Sequence, residues 1–366
     1  MNDINQKKRF LDAITMETCE SLSHGDQMIH DKLVAEITHV HLEGDDGNAL
    51  AKWMTEEMTD VNFERHARAR KFLGMDWCQV FPMETIQDEA VSEAGHKIFK
   101  DIWGTVQAVS SESNEIIEKP IENAEGIMSY RFPDPSSFGY ENIKRWVKDG
   151  TFAVCAQLDN GFFKVNQLTG FEEYMYYVYF NKKEMHGLME KFLEFEIAMA
   201  DHLIGLGVDV IWLGNDFCYN SGPFMSPEMM QEFDFDYMKR LVSHVRGKGL
   251  PVVLHCCGNI EYTIRQMIDT GINAIHSLQP SAGNDIYKYK EEYGRDVCLI
   301  GNVDINELMP NGSPCDVDEQ VRTMAEKLFY DRKGWVLSTT NLLSVDTPVK
   351  NAITMHLAAE KYGRLV

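Results

Sequence analysis

From about residue 150 the chain alternates short apolar runs with longer amphipathic stretches. Residues 151–158, 208–213, 251–254, 273–277, 297–300 and 335–338 read as strands. Residues 208–213 are apolar apart from Asp209, as a strand covered on both faces is. Between and after them come helical patterns at 183–206, 260–270, 284–293, 316–330 and 347–361. A further helix opens at Ser226-Pro227, with Ser as N-cap and Pro in the first turn, and ends at Gly247 and Gly249. Strand and helix in strict alternation imply parallel strands joined by crossover helices. The fold class is therefore α/β, a (β/α)₈ TIM barrel.

The first part of the chain is patterned differently. Residues 33–41 and 50–58 carry apolar positions at mixed helical spacing within a charged region. This predicts a helical N-terminal extension over residues 1–75, packed on a barrel of residues 76–366. Residues 77–83 and 104–109 are candidate early strands. Residues 110–125 are rich in Glu and Ser and predict a loop or surface helix. The aromatic run 174–180 suits either a pocket lining or a buried helix or strand.

Composition narrows the partners. With 35 Lys and Arg against 57 Asp and Glu, the formal charge is −22. Such a surface repels phosphate backbones and anionic membranes, which argues against nucleic acid and lipid partners. Eight cysteines in 366 residues do not suggest the disulfide framework of a small secreted chain. The first ten residues are polar, with no apolar signal core, and no apolar run reaches membrane-spanning length. A soluble, cytoplasmic protein is the expectation, with thiols free to bury, react or bind metal.

Catalytic groups of such barrels gather at the C-terminal ends of the strands. Five predicted strands end in polar or reactive clusters: Asn215-Asp216-Phe217-Cys218, His255-Cys256-Cys257-Gly258, His276-Ser277-Leu278-Gln279, Gly301-Asn302-Val303-Asp304 and Ser338-Thr339-Thr340-Asn341. Alternation along an extended chain puts His255 and Cys257 on one side. There an imidazole and a thiolate can share a tetrahedral Zn²⁺; alternatively His255 is a hydrogen-bonded core residue and the cysteines are small hydrophobes. Asp216 and Cys218 repeat the spacing on the preceding strand. Either can add a ligand, or Asp216 can orient His255, or simply cap a turn. His276 is an acid/base candidate or a satisfied structural histidine. Asp304 with Glu307 fits a capping box, leaving Asn302 to face a ligand.

Several of these residues also fall into an ordered series. It runs through Leu168-Thr169-Gly170-Phe171-Glu172, Ser226-Pro227-Glu228 with Glu232-Phe233, His255-x-Cys257-Gly258, Gln279-Pro280, Gly301-Asn302-x-Asp304 and Thr347-Pro348-x-x-Asn351. Over residues 150–362 the chain resembles the uroporphyrinogen decarboxylase superfamily. The resemblance implies a TIM barrel with one of two chemistries. One is decarboxylation of a tetrapyrrole's acetate side chains. The other is zinc-assisted methyl transfer between a corrinoid protein and a thiol or methylated substrate.

The decarboxylases carry an arginine-containing segment near the N-terminus, which this chain lacks. Arg65-His66-Ala67-Arg68-Ala69-Arg70 is a poor substitute and reads as a solvated helix surface. The zinc methyltransferases use His-x-Cys plus a later Cys. His255 and Cys257 match the first pair, while the later position falls near Asn341. The resemblance thus favours a methyltransferase acting between a methylated ether, amine or thiol and a corrinoid protein. The rivals are a tetrapyrrole decarboxylase and a non-catalytic corrinoid- or porphyrin-binding protein; a homodimer is open to any of them. In the favoured reading His255, Cys257 and Cys218 hold Zn²⁺, Asp216, His276 and Asn302 are catalytic, and Gln279 and Asn341 face the cofactor.

Overall fold

The structure, a computed structural model, describes residues 5–91, 97–109 and 114–364. Eight parallel strands form one sheet that nearly closes into a barrel. They are β1 (Ser23–His24), β2 (Trp77–Val80), β3 (Ala153–Asp159), β4 (Val210–Gly214), β5 (Val252–Cys256), β6 (Ala274–Ser277), β7 (Cys298–Gly301) and β8 (Trp335–Leu337). Neighbours pair in the order β1-β8-β7-β6-β5-β4-β3-β2. At the seam between β1 and β2, the Asp76 N–H donates to the His24 carbonyl at 3.0 Å. The (β/α)₈ expectation holds.

Strand register sets residues in layers across the barrel. Asp159 pairs with Gly214, Gly214 with His255, His255 with His276, and His276 with Ile300. Below this layer Trp77 and Trp212 stack at 5.0 Å, and Trp212 meets the His276 ring edge-on at 5.0 Å. Aromatic packing of this kind fills the barrel floor and closes it to water.

The N-terminal region is helical as expected, with helices Gln6–Ile14, Asp31–Thr38, Ala49–Thr55 and Asp60–Leu73. It also supplies β1, paired to β8, so this region contributes a barrel strand besides packing on the barrel. The stretch 65–70 is not a solvated surface. Arg65, His66 and Arg70 are buried and Arg68 alone of its charged residues is exposed. The Arg70 guanidinium donates to the carbonyls of Asp26, Gln27 and Trp77, tying β2 to the chain beyond β1.

Two further expectations change. Residues 104–109 do contain a strand, Val106–Val109, but it belongs to a separate four-stranded antiparallel sheet with Asp88–Val91, Lys97–Lys100 and Asn114–Glu118. That last strand replaces part of the loop or surface helix expected over 110–125; residues 119–123 are loop, a helix spans Ala124–Ser129, and residues 110–113 lie outside the described ones. An antiparallel sheet can keep one face in water, so charged residues do not disqualify it. The aromatic run forms part of helix Phe171–Phe180, with Tyr174, Tyr177 and Val178 buried and Tyr176, Tyr179 and Phe180 exposed. The run is helical, as one alternative had it, but only one face of the helix is buried. No helix among the described residues is long and apolar enough to cross a membrane.

Candidate metal centre

His255 is the penultimate residue of β5 and points into the barrel, where its ring stacks on that of His276 at 4.9 Å. Cys257 follows on the same side. Asp216 reaches them from the loop after β4. Among the described residues, Asp216, His255 and Cys257 form a group whose ligand atoms all lie within 4.8 Å of one another. The Asp216 Oδ1 is 3.7 Å from His255 Nε2 and accepts the Cys257 backbone N–H at 3.0 Å. A tetrahedral Zn²⁺ with bonds of about 2.0–2.3 Å wants ligand atoms roughly 3.5 Å apart. The pair Asp216–His255 already meets this, and the remaining separations need only side-chain closure.

The tautomers follow from the partners. The Thr339 carbonyl lies 3.2 Å from His276 Nε2 and can only accept, so Nε2 carries the hydrogen. Burial, then the neighbouring His255, holds the His276 pKa well below its ordinary value. A neutral ring with hydrogen on Nε2 presents an acceptor at Nδ1. That atom is 2.7 Å from His255 Nδ1, which must therefore donate. Burial also lowers the His255 pKa, so this ring is neutral and its Nε2 lone pair is left facing Asp216 and Cys257. His276 thus supports the metal-binding tautomer of His255.

Burial, then the Asp216 carboxylate, pushes the Cys257 thiol well above its usual range. A bound cation reverses that preference and takes the thiolate. One nitrogen, one sulfur and one carboxylate oxygen, with a fourth position open, are a donor set suited to catalytic zinc.

Cys218 lies outside this group. It sits in a short hairpin, Cys218–Tyr219 against Gly222–Pro223, and its thiol meets that of buried Cys256 behind the triad. Gly258 makes that packing possible: a Cβ there would come within 2.2 Å of the Cys218 carbonyl oxygen. Asn302 is buried, and its amide donates to the Leu278 carbonyl at 2.8 Å, which commits it to the loop after β6. Gln279 is half-buried and bonds Ser281 at 2.8 Å. Asn341 is half-buried in the loop after β8, where its carbonyl accepts the Thr339 hydroxyl. Asp304 accepts the N–H groups of Asn306 and Glu307 and caps a turn.

A cavity of about 750 Å³ opens at the same end of the barrel. Its walls include Gln157 and Asp159 of β3, Lys164 of the following helix, Glu84 beyond β2, and Gln107 of the small sheet. The sequence reading passed over these residues. The polar tail Asp159-Asn160 after an apolar strand was the one signal available.

A family model described as uroporphyrinogen decarboxylase (URO-D) matches residues 104–362. The chain belongs to the URO-D family. Among its relatives is a methylated-thiol–coenzyme M methyltransferase of Methanosarcina mazei, 22% identical over 56% of this chain and 52% of the relative. This chain therefore spans about half the length of that relative. A uroporphyrinogen decarboxylase of Wigglesworthia glossinidia brevipalpis is 23% identical over 67% of this chain and 70% of its own. A solved methyltransferase from Methanosarcina mazei superposes with a TM-score of 0.73, at 18% identity, over 98% of this chain and 99% of that one. That likeness bears on the fold, the (β/α)₈ barrel.

Proposed function

We propose that this URO-D family member is a zinc-assisted methyltransferase that moves a methyl group between a methylated small molecule and a corrinoid protein. The observation that carries this reading is the convergence of His255 Nε2, Cys257 Sγ and an Asp216 oxygen at the open end of the barrel. These three would hold the metal, with Asp216 in place of the later cysteine that the resemblance implies. Bound Zn²⁺ supplies Lewis acidity toward the methyl-bearing atom, or lowers the pKa of an accepting thiol.

The remaining work falls to the chain itself. His276 keeps the proton of His255 on Nδ1. The Cys257 N–H fixes the Asp216 carboxylate. The stacked Trp77 and Trp212 exclude water from beneath. The small molecule occupies the 750 Å³ cavity, and the corrinoid protein docks over the mouth; the cobalt chemistry is the cofactor's own.

A tetrapyrrole decarboxylase needs cations for several carboxylates. The one cation among the described residues lining this cavity is Lys164, and it is already engaged by Asp159 at 3.1 Å and Glu84 at 3.6 Å. The deciding assay supplies a reduced corrinoid protein and a panel of methylated ethers, amines and thiols, and follows methylcobamide by its absorption. Methyl transfer that stops in Cys257→Ala supports the reading. Carbon dioxide release from uroporphyrinogen, with no methyl transfer, refutes it.

A further inference from the structure

Asp26 lies on the loop after β1 and is wholly buried. Its Oδ1 accepts the Thr339 N–H at 2.8 Å and the Ser338 hydroxyl at 3.3 Å, and Thr339 Oγ1 stands 2.6 Å away. Its Oδ2 is 3.1 Å from His356 Nε2, on the closing helix Val349–Tyr362. From there the line runs outward, from His356 Nδ1 to His24 Nδ1 at 3.0 Å and from His24 Nε2 to the part-exposed Glu360 at 3.1 Å. The Arg70 guanidinium holds the Asp26 carbonyl at 3.1 Å. Oδ1 thus faces Ser338 and Thr339 from a fixed place. It remains an acceptor whether the hydrogen toward His356 sits on that ring or on Oδ2.

Both residues that Asp26 holds also touch His276. The His276 Nε2 is 3.2 Å from the Thr339 carbonyl and 3.5 Å from Ser338 Oγ. The carbonyl can only accept, whereas the hydroxyl can accept or donate. Ser338 and His276 are fully buried, so bulk water does not decide between the two. A Ser338 hydroxyl that donated to His276 would move the ring hydrogen from Nε2 to Nδ1. The His255–His276 contact would then turn round, and the hydrogen of His255 would sit on the Nε2 that faces Asp216 and Cys257. Asp26 prevents this. It takes the one hydrogen that Ser338 has, leaves the Ser338 oxygen to accept, and pins Thr339 by its N–H.

We propose that Asp26 is a positioning residue for the metal centre: it keeps Ser338 and Thr339 as acceptors toward His276, which fixes the hydrogen of His255 on Nδ1 and leaves Nε2 bare for the metal. This rests on the reading of His255 as a zinc ligand for its consequence alone, since the ring hydrogens are observed in the metal-free protein.

The test is nitrogen-15 NMR of the histidine rings in the metal-free full chain, paired with zinc affinity from chelator competition. In the native protein His276 carries its hydrogen on Nε2 and His255 on Nδ1. Asp26→Ala moves a large part of His255 to the form with hydrogen on Nε2 and lowers zinc affinity about tenfold, the lower end of what supporting residues contribute. Asp26→Leu, which fills the space without an acceptor, does the same and serves where the alanine variant does not fold. Asp26→Asn, whose amide oxygen still accepts from Ser338 and Thr339, keeps most of the native ring signals and affinity. Adding Ser338→Ala to either apolar variant removes the competing donor and restores both readouts. A residue that merely stabilised the barrel would not be rescued by a second deletion. A bare His276 Nε2 in the native protein, native rings and affinity in a folded Asp26→Ala or Asp26→Leu, or a loss that Ser338→Ala does not reverse would overturn the proposal. A native chain that binds no zinc, with ring hydrogens placed as above and displaced in the Asp26 variants, leaves the role of Asp26 standing while the zinc reading falls.

Discussion

His255 and His276 share a single hydrogen between their Nδ1 atoms, 2.7 Å apart. The direction of that bond is fixed from outside the pair, by the Thr339 carbonyl on the far nitrogen of His276. The consequence reaches the metal group: His255 has its lone pair on the nitrogen facing Asp216 and Cys257. Replacing His276 with Ala frees His255 to adopt the other tautomer. Zinc affinity, read by chelator competition, falls about 10–100-fold while the far-ultraviolet circular dichroism is unchanged. His276→Gln, whose amide oxygen can accept the same hydrogen, restores much of it. Equal affinity in His276→Ala would show that the pair plays no part in metal binding.

Metal binding must take the proton from Cys257, whose thiol is held protonated by burial and by Asp216. Zinc affinity therefore rises with pH, by about tenfold per unit between pH 6 and 8, with one proton released per ion bound. Titration in two buffers of different ionisation enthalpy measures that proton. A flat profile would mean that Cys257 is not a ligand.

Asp234 supports the loop that carries Asp216. It lies in the π-helical turn Gln231–Phe235, and both its oxygens accept from the Asn215 amide, at 3.0 and 2.9 Å. Burial pushes its pKa up to about 7. A carboxyl raised above its unfolded value adds stability that is complete below its ordinary pKa of 3.8 and is lost as pH rises through about 7. Asp234→Asn cannot titrate. Its denaturation free energy between pH 4 and 8 loses a slope worth up to about 4 kcal/mol. Parallel profiles for the two proteins would refute the assignment.

The strands that enclose the site were legible because they are buried on both faces and so appear as short, mostly apolar runs. β1 was not, because Ser23–His24 is two polar residues whose place is set by pairing with Val336 and Leu337 at the opposite end of the chain. Arg70 misled for a similar reason: its guanidinium is satisfied by three carbonyls that only the closed barrel brings near. In the site, alternation along β5 was enough to pair His255 with Cys257, and the spacing after β4 was enough to offer Asp216. It could not separate Asp216 from Cys218, because the hairpin that turns Cys218 onto Cys256 leaves no periodic trace. Glu84, Asp159 and Lys164 meet across three separate segments, and nothing local in any one of them announces the meeting.

The central claim is that Asp216, His255 and Cys257 hold one catalytic zinc. Elemental analysis of the purified protein, native and with His255→Ala or Cys257→Ala, addresses it directly. About one zinc per native chain and a small fraction of that in each variant is the predicted result. Zinc retained in full by both variants, or absent from a native protein that still transfers methyl groups, would contradict it.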